Sequence, residues 1–541
     1  MYDPRNKLIV AIDFGTTYSG VAYAFANVPK PDVASIRDWP GLEGFLQLKV
    51  PTVICYGDSS TNNTTWGAQK HKGDVVQGLK LLLDPDQPWP LYLPESTAKT
   101  DLKRLGKPAV EVAADFLSAI YKHAMKKIES SVPADFLMIC QKEFVLIVPA
   151  VWSDKAKDTT LKAAKQAGIH PVVLVKEPEA AAMYTLHMMK DMALSVGDAF
   201  VICDAGGGTV DLTSYEITQL TPRLELRELV PGKGGMAGSL GLNKRFEQAV
   251  KELVGEDQYF TLCKTIAFQK AVQQFDRSVK TAFRGGMDEE YCVNFPMENL
   301  KDDPANDLTS NCWNMKGSDV KKIFDPLITD IQRLVNEQVN LVTVKRLSGA
   351  HPNVEQIKAC PFNCELVQKL TNGRQSSSSV DLVLANISRV VLCKTTQQFK
   401  SSSHMRHGLP LPGVDTVELM TWYIYQGDDL KCEQVIKFPF YRSFPEATFS
   451  AHSLTFTDNL IQSESKIAPI HPSPSATKVN CVLTADLTSV DRAQFKKTVG
   501  ADGLPYINVH YHLVITVKTA MMKFSIEVNG KEMGTVNASY D

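Results

Sequence analysis

The 541-residue chain has no apolar run long enough to cross a membrane. Its longest strongly apolar stretch, Phe144–Trp152, is about half of the ~18 residues that a spanning helix needs. Neither charge is in excess: 58 Lys and Arg against 60 Asp and Glu give a net charge of -2. That balance leaves no electrostatic footprint for nucleic acid or an anionic membrane. A Gly-x-x-x-x-Gly-Lys-Ser/Thr loop is absent, which excludes the P-loop NTPases. Metal-ligating pairs are also missing. Cys360-Pro-Phe-Asn-Cys364 has no second cysteine pair at zinc spacing, and His510-Tyr-His512 falls on a predicted strand without an acidic or cysteine partner nearby. The 11 scattered cysteines fit reduced thiols in the cytoplasm better than a disulfide framework, so the sequons at Asn62, Asn63, Asn386 and Asn537 are expected to go unused. No secretion signal is visible, because Asp13 ends the apolar run Leu8–Ile12 too early for a signal core.

What is present is an ordinary globular composition, 44% hydrophobic and 22% charged, over a length that suits about three or four domain-sized units. Leu8–Asp13 reads as a buried strand, Phe14-Gly-Thr-Thr17 as a tight turn, and Ser19–Phe25 as a second, alternating strand. Helices are predicted at 110–128, from Ser153-Asp154 to before Gly168, and at 179–192, with strands at 144–148 and 172–175 between them. Strands alternating with helices imply an α/β layered fold. The opening then repeats. Ala199–Asp204 is an apolar strand with a terminal aspartate, followed by Ala205-Gly-Gly-Gly-Thr209 and another alternating strand, and helices follow at 242–254, 271–283 and 318–341. From Lys345 to Thr416 periodicity weakens into Ser-rich loop or linker. Beyond Val417 the pattern is strand only, except for a short helical stretch allowed at 489–498, and Asn529-Gly530 is a strong hairpin signal.

A turn rich in Gly and Thr at a strand end turns several backbone N–H groups toward one point, a concavity suited to phosphate. Either turn alone would read as a plain hairpin. Two of them, Asp13-Phe-Gly-Thr-Thr17 and Asp204-Ala-Gly-Gly-Gly-Thr209, each led by an aspartate and each opening a lobe, would both meet a polyphosphate lying between the lobes. Asp13 and Asp204 would then face one Mg²⁺ through its waters, since that ion keeps much of its hydration.

These residues resemble the actin-like ATPase superfamily and, within it, the heat-shock protein 70 (DnaK-type) family. Asp13–Thr17 looks like its first phosphate motif and Asp204–Asp211 its second, while Phe144–Ser153 with Glu177-Pro-Glu-Ala-Ala-Ala182 looks like its connecting segment. The resemblance covers roughly residues 7–345. It implies a two-lobed actin-like fold of duplicated ribonuclease-H-like lobes, followed by a small all-β C-terminal domain. Lobe I would span 7–195, lobe II 196–345 with an insertion at about 256–315, an irregular linker 346–416, and the β domain 417–541. The resemblance implies ATP/ADP and Mg²⁺ as ligands and slow hydrolysis. Asp13, Glu177, Asp204, Asp211 and Lys80 would be catalytic, with Asp13 and Asp204 holding the metal through water. Gly15, Thr16, Thr17, Tyr18, Gly206, Gly207, Gly208, Thr209, Gly234, Gly235 and Lys280 would hold the nucleotide. For Lys80 and Lys280 the competing reading is a solvated lysine, and Glu179–Ala182 could be no more than a helix start packed on the sheet.

The family pattern is broken twice. No Gly-Gly pair occurs between Arg346 and Thr416, where the family packs a glycine turn on adenosine; Gln356–Lys369 runs instead through Cys360-Pro-Phe-Asn-Cys364, a segment that a splice variant or faulty gene model would also produce. The tail lacks the family's peptide-binding sandwich and helical lid, and is similar instead to the divergent twelve-type subgroup. Coupling of nucleotide state to a protein client or co-chaperone is what the resemblance implies. A nucleotide-binding but non-catalytic interaction protein and a sugar or metabolite kinase of the same superfamily are the competing readings. The missing turn yields a prediction: losing nucleoside contacts worth about 3 kcal/mol weakens binding by roughly two orders of magnitude while triphosphate recognition persists. ATP and GTP should compete almost equally in a titration; strong selectivity for ATP would overturn this.

Overall fold

The computed structural model describes residues 6–26, 33–57, 64–71, 74–76, 78–84, 102–103, 105–150, 152–188, 195–221, 224–235, 237–348, 393–394, 399–404, 419–424, 430–431, 433–463, 465, 469, 471, 473–500, 503–518, 520–532 and 535–539. The altered Cys360–Lys369 segment lies outside them. Two compact units are present. One comprises Met1–Trp152, Thr159–Ile217 and Gly232–Val390; the other comprises Ser153–Asp158, Thr218–Pro231 and Val391–Asp541.

The first unit starts with β1 (Lys7–Phe14) and β2 (Tyr18–Phe25), an antiparallel hairpin in which Asp13 faces Gly20. β3 (Val33–Ser35) and the short β4 (Val50–Pro51) add to β2. After α1 (Ala109–Ser131), β5 (Gln141–Val148) and β6 (Val172–Lys176) extend the other edge, both parallel to β1. The sheet order is β3-β2-β1-β5-β6. β1 is buried from Leu8 to Phe14, so its near-continuous apolar run reflects cover on both faces, as central strands require. α1 buries Val112, Phe116, Leu117, Ile120, Ala124 and Ile128, a stripe at helical spacing.

A second hairpin repeats the plan: β7 (Ala199–Ala205) pairs antiparallel with β8 (Val210–Gln219), which places Asp204 beside Asp211. β9 (Lys233–Gly235) pairs with the start of β8. Beyond it lie α2 (Leu240–Val254), α3 (Ile266–Gln274) and the long α4 (Gly317–Ser348). The predicted 271–283 helix is interrupted by a π-helical turn over Phe275–Val279 before Lys280–Ala282. The core here is aromatic: Phe246 stacks on Phe275 with centroids 4.3 Å apart, and Ile323, Leu327, Ile331 and Leu334 of α4 pack against the same cluster. Cys292 and Cys312, on the neighbouring antiparallel strands Glu290–Asn294 and Cys312–Lys316, are joined as a disulfide. The expectation of reduced thiols throughout is corrected at this pair, which the sheet brings to a Cα separation of 6.4 Å, within bridging range.

In the second unit the regular elements described after residue 393 are strands and 3₁₀ turns. Phe399–His404, Leu419–Trp422, Thr455–Gln462, Lys478–Asp486 and Thr535–Ser539 form one five-stranded sheet; Val435–Pro445, Lys496–Val499, Pro505–Val517, Met522–Val528 and Lys531–Glu532 form another. Leu460, Cys481 and Leu483 from the first pack with Leu513, Ile515 and Phe524 from the second. Asn529 and Gly530, both with positive φ, turn the predicted hairpin. The helical stretch allowed at 489–498 is a 3₁₀ turn, Arg492–Gln494, leading into an edge strand, because Lys496–Val499 pairs with Pro505–Asn508. No helix among the described residues is long and apolar enough to cross a membrane.

Phe246 and Phe275 are both fully buried, so Phe246→Ala should cost about 3–5 kcal/mol. Met138, 83% exposed, is the control, and Met138→Ala should stay within about 0.5 kcal/mol. Denaturant unfolding checks both; equal effects would contradict the assignment of this core.

Candidate functional site

The first turn is held by the segment that follows it in space. β4 lies along β2, with Tyr18 opposite Pro51 and Ser19 opposite Val50. Thr52 N donates to Thr17 O at 2.8 Å, Thr52 Oγ1 donates to Gly15 O at 2.8 Å, and Ser19 Oγ lies 2.8 Å from Thr52 Oγ1. Gly15, Thr16 and Thr17 are thus clamped rather than left as a free loop. The second turn closes through Gly206 N to Thr209 O at 2.9 Å, and its outer carbonyls, Gly206 O and Gly207 O, accept from Ser239 N and Leu240 N at the start of α2.

The two turns touch. A Cβ on Gly207 would lie 2.4 Å from Thr17 Oγ1, so only glycine allows this approach. Gly208 faces Thr16 in the same way. Asp13, 5% exposed, sits at the end of β1, and Asp204 and Asp211 face each other at the ends of β7 and β8. Thr209 Oγ1 donates to Asp211 Oδ2 at 3.0 Å, whereas Asp211 Oδ1 is buried without a hydrogen-bond partner. Gly234 is brought beside Asp211 by the β8–β9 register, while Gly235 packs against Leu334 of α4.

Glu177 opens the helix Glu177–Met188 directly after β6. Its Oε1 accepts from the ammonium of Lys80 in a short ion pair, and that ammonium also lies 5.4 Å from the centre of the Trp152 ring. Lys80 is 3% exposed, in a 3₁₀ turn over Leu79–Leu83, which removes the solvated reading. Lys280 is buried too, but elsewhere: its ammonium donates to Ser239 O, Asn243 Oδ1 and Asp276 Oδ1 at 3.2, 3.1 and 2.5 Å, tying the π-helical turn to the start of α2. Arg277 and Ser278 are exposed.

One residue had no sequence signal. Lys49, immediately before β4, sends its ammonium to Asp13 Oδ2 at 2.7 Å, with side-chain exposures of 11% and 7%. Burial opposes its charge, but Asp13, with Asp204 and Glu177 behind it, outweighs that and holds its pKa above the usual lysine value. Nothing in a lone lysine beside Val50-Pro51 announces a partner in another strand.

Burial, then the charge of Glu177, pushes Asp204 up to about 7 against the pull of Lys49. Burial, Glu177 and Asp204 push Asp211 up to about 7 as well. Asp204 keeps partial contact with solvent, whereas Asp211 is 2% exposed. When all are ionised, the four carboxylates of Asp13, Glu177, Asp204 and Asp211 against the ammoniums of Lys49 and Lys80 leave two negative charges. Among the described residues no three His, Cys, Asp or Glu side chains converge closely enough to ligate an ion directly. A divalent cation here would be held hydrated, with Asp13 and Asp204 reaching it through water and a bound anion completing its shell. The orphaned Asp211 Oδ1 leaves an acceptor for a water in the same place.

A family model described as Hsp70 protein matches residues 95–220, and one described as Domain of unknown function (DUF8340) matches residues 195–340. The chain is 29% identical to Heat shock 70 kDa protein 12B of Homo sapiens, over 46% of this chain and 46% of that protein. It is likewise 29% identical to Heat shock 70 kDa protein 12A of Mus musculus, with the same shares covered. These likenesses support a relationship to the Hsp70 family and, within it, to the twelve-type subgroup. The Chaperone protein HscA homolog of Acinetobacter baumannii is a more distant likeness, 26% identical over 40% of this chain and 33% of that protein. The chain spans about half the length of the twelve-type curated relatives it matches. The Hsp70 match takes in Trp152, Glu177 and the whole second turn.

Asp204 and Asp211 bind protons more tightly folded than unfolded, so their contribution to stability is full below the unfolded carboxylate range near 4. It is lost as pH rises through about 7. In metal-free buffer, the stability of the native chain relative to Asp211→Asn should fall between pH 5 and 8, by at most about 1.4 kcal/mol per pH unit. Thermal unfolding of the two proteins across that range checks it; a constant difference would mean that ionisation at Asp211 is not linked to folding.

Proposed function

We propose that this Hsp70-related chain binds Mg-ATP between its two hairpin turns and hydrolyses it slowly, as a cytoplasmic protein that couples nucleotide state to a protein client or co-chaperone. One observation carries the reading: two aspartate-led glycine turns meet, Gly207 against Thr17, beside the Lys80–Glu177 pair and Asp211. Backbone amides and hydroxyls of Gly15–Tyr18 and Gly206–Thr209, with Gly234 and Gly235 behind them, bind the phosphates. Lys280 holds the nucleoside side of the pocket through the start of α2. Asp13 and Asp204 hold the hydrated cation, which supplies charge neutralisation when bound. Lys80 balances charge on the transferring phosphate, and Glu177 and Asp211 accept hydrogen bonds from the attacking water and orient it.

In this reading residues 7–195 and 196–345 are two ribonuclease-H-like lobes. The β3-β2-β1-β5-β6 order and the repeated hairpin of β7 and β8 support that division. Residues from 346 to about 390 then stand in place of the adenosine turn; the strand Phe399–His404, expected within an irregular linker, pairs instead into the sheet of the β domain that continues through 417–541 and offers a partner surface.

Glu177→Gln and Asp204→Asn separate chemistry from binding. Each should keep nucleotide affinity within a few-fold and lose about 10²-fold or more in single-turnover hydrolysis, the range expected when a group orienting water or cation is removed. Undiminished turnover in both variants would sink the assignment.

A further inference from the structure

We propose that Lys49 is a phosphate-binding residue, a fixed positive charge that lets part of polyphosphate binding proceed without a divalent cation. The inference rests on reading the cleft as a nucleotide site, and adds to it a residue that neither turn supplies.

The placement is built. Lys49 precedes β4, and the hydrogen bonds of Thr52 to Thr17 O and Gly15 O lock that segment on the first turn. Its side chain crosses the sheet over Gly20, the residue opposite Asp13 in the hairpin register; a Cβ there would lie 3.3 Å from Lys49 Cγ and 3.0 Å from Leu48 O. The absence of a side chain at position 20 is what lets the lysine stem reach Asp13. The ammonium then lies 2.7 Å from Asp13 Oδ2, in the field of Asp204 and Glu177.

The chemistry follows from that position. An ammonium has three donors on a flexible stem and acts on phosphate as a compact point charge. Lys80 serves the transferring phosphate from its place beside Glu177 and Trp152. Lys49 approaches from the first turn instead, where Gly15–Thr17 would meet phosphate oxygens. Asp13, which would hold a hydrated cation through water, would then share its carboxylate, leaving the Lys49 ammonium to turn toward the anion. With no cation present, Lys49 is the charge that answers the triphosphate from this side.

Calorimetric titration with ATP in excess EDTA and in Mg²⁺, for the native chain, Lys49→Met and Lys49→Arg, tests this. Lys49→Met should weaken binding by about tenfold or more in EDTA and by less in Mg²⁺, and Lys49→Arg should recover most of the EDTA affinity. A purely structural strut would weaken both conditions equally, and that result overturns the proposal. So does a Lys49→Met protein that binds as tightly as the native chain in EDTA, or a native chain that binds ATP only with Mg²⁺. A native chain that binds in neither buffer removes the nucleotide reading itself. Should Lys49→Met fail to fold, Gly20→Ala crowds the stem and keeps the charge: a loss of affinity confined to EDTA supports the proposal, and unchanged affinity overturns it.

Discussion

Four carboxylates gathered at the ends of β1, β6, β7 and β8 are the constraint to which the first unit is fitted. Carboxylates removed from water are costly unless paired, and removing the partner of a buried ion costs several kcal/mol. The chain answers with two lysines from separate segments, Lys49 to Asp13 and Lys80 to Glu177. The 3₁₀ turn under Lys80 and the short β4 beside Lys49 are the means by which a long side chain is brought in from outside the sheet. The glycines are the other half of the solution. Without a side chain at position 207 the second turn can lie against Thr17 of the first.

How much of this was legible in the sequence depends on whether a signal was local. Both hairpins were readable because an apolar strand, a terminal aspartate, a glycine turn and an alternating strand follow one another without interruption. The Asn529-Gly530 turn was readable for the same reason, since two positive φ values are what that dipeptide supplies. Lys80 was ambiguous because its partner lies 97 residues away, and a lysine among leucines has no spacing that reveals a carboxylate. Lys49 was invisible, its pairing set by the β2–β4 register. The strand Thr455–Gln462 escaped notice because its alternation is shallow: Phe456 and Leu460 are separated by polar Thr457, Asp458 and Asn459.

The tail illustrates a different limit. Its composition from 489 to 498 tolerates a helix, but pairing of Lys496–Val499 with the long Pro505–Val517 strand satisfies backbone groups that a short isolated helix would leave weakly held. Tertiary pairing outweighs local propensity there, as it does for strands generally. The π-helical turn at Phe275–Val279 is comparable. An α-helical pattern predicts the element, while the extra residue in the turn accompanies burial of both Phe275 and Lys280, the one stacked on Phe246 and the other bonded to Ser239 O.

The carboxylate cluster can be satisfied in three ways: by protons, by lysine ammoniums, or by a divalent cation. Asp204 and Asp211, both pushed to about 7, stand where the first of these gives way near neutral pH. Lysines neutralise two of the four charges and leave a residual of two, the charge of one divalent ion. Because no three ligands among the described residues converge on a single point, such an ion would gain little from them alone and much from an anion that brings its own oxygens. Metal and polyphosphate are therefore expected to stabilise each other in this cleft, each supplying what the other lacks, with the glycine turns providing the neutral surface on which they meet.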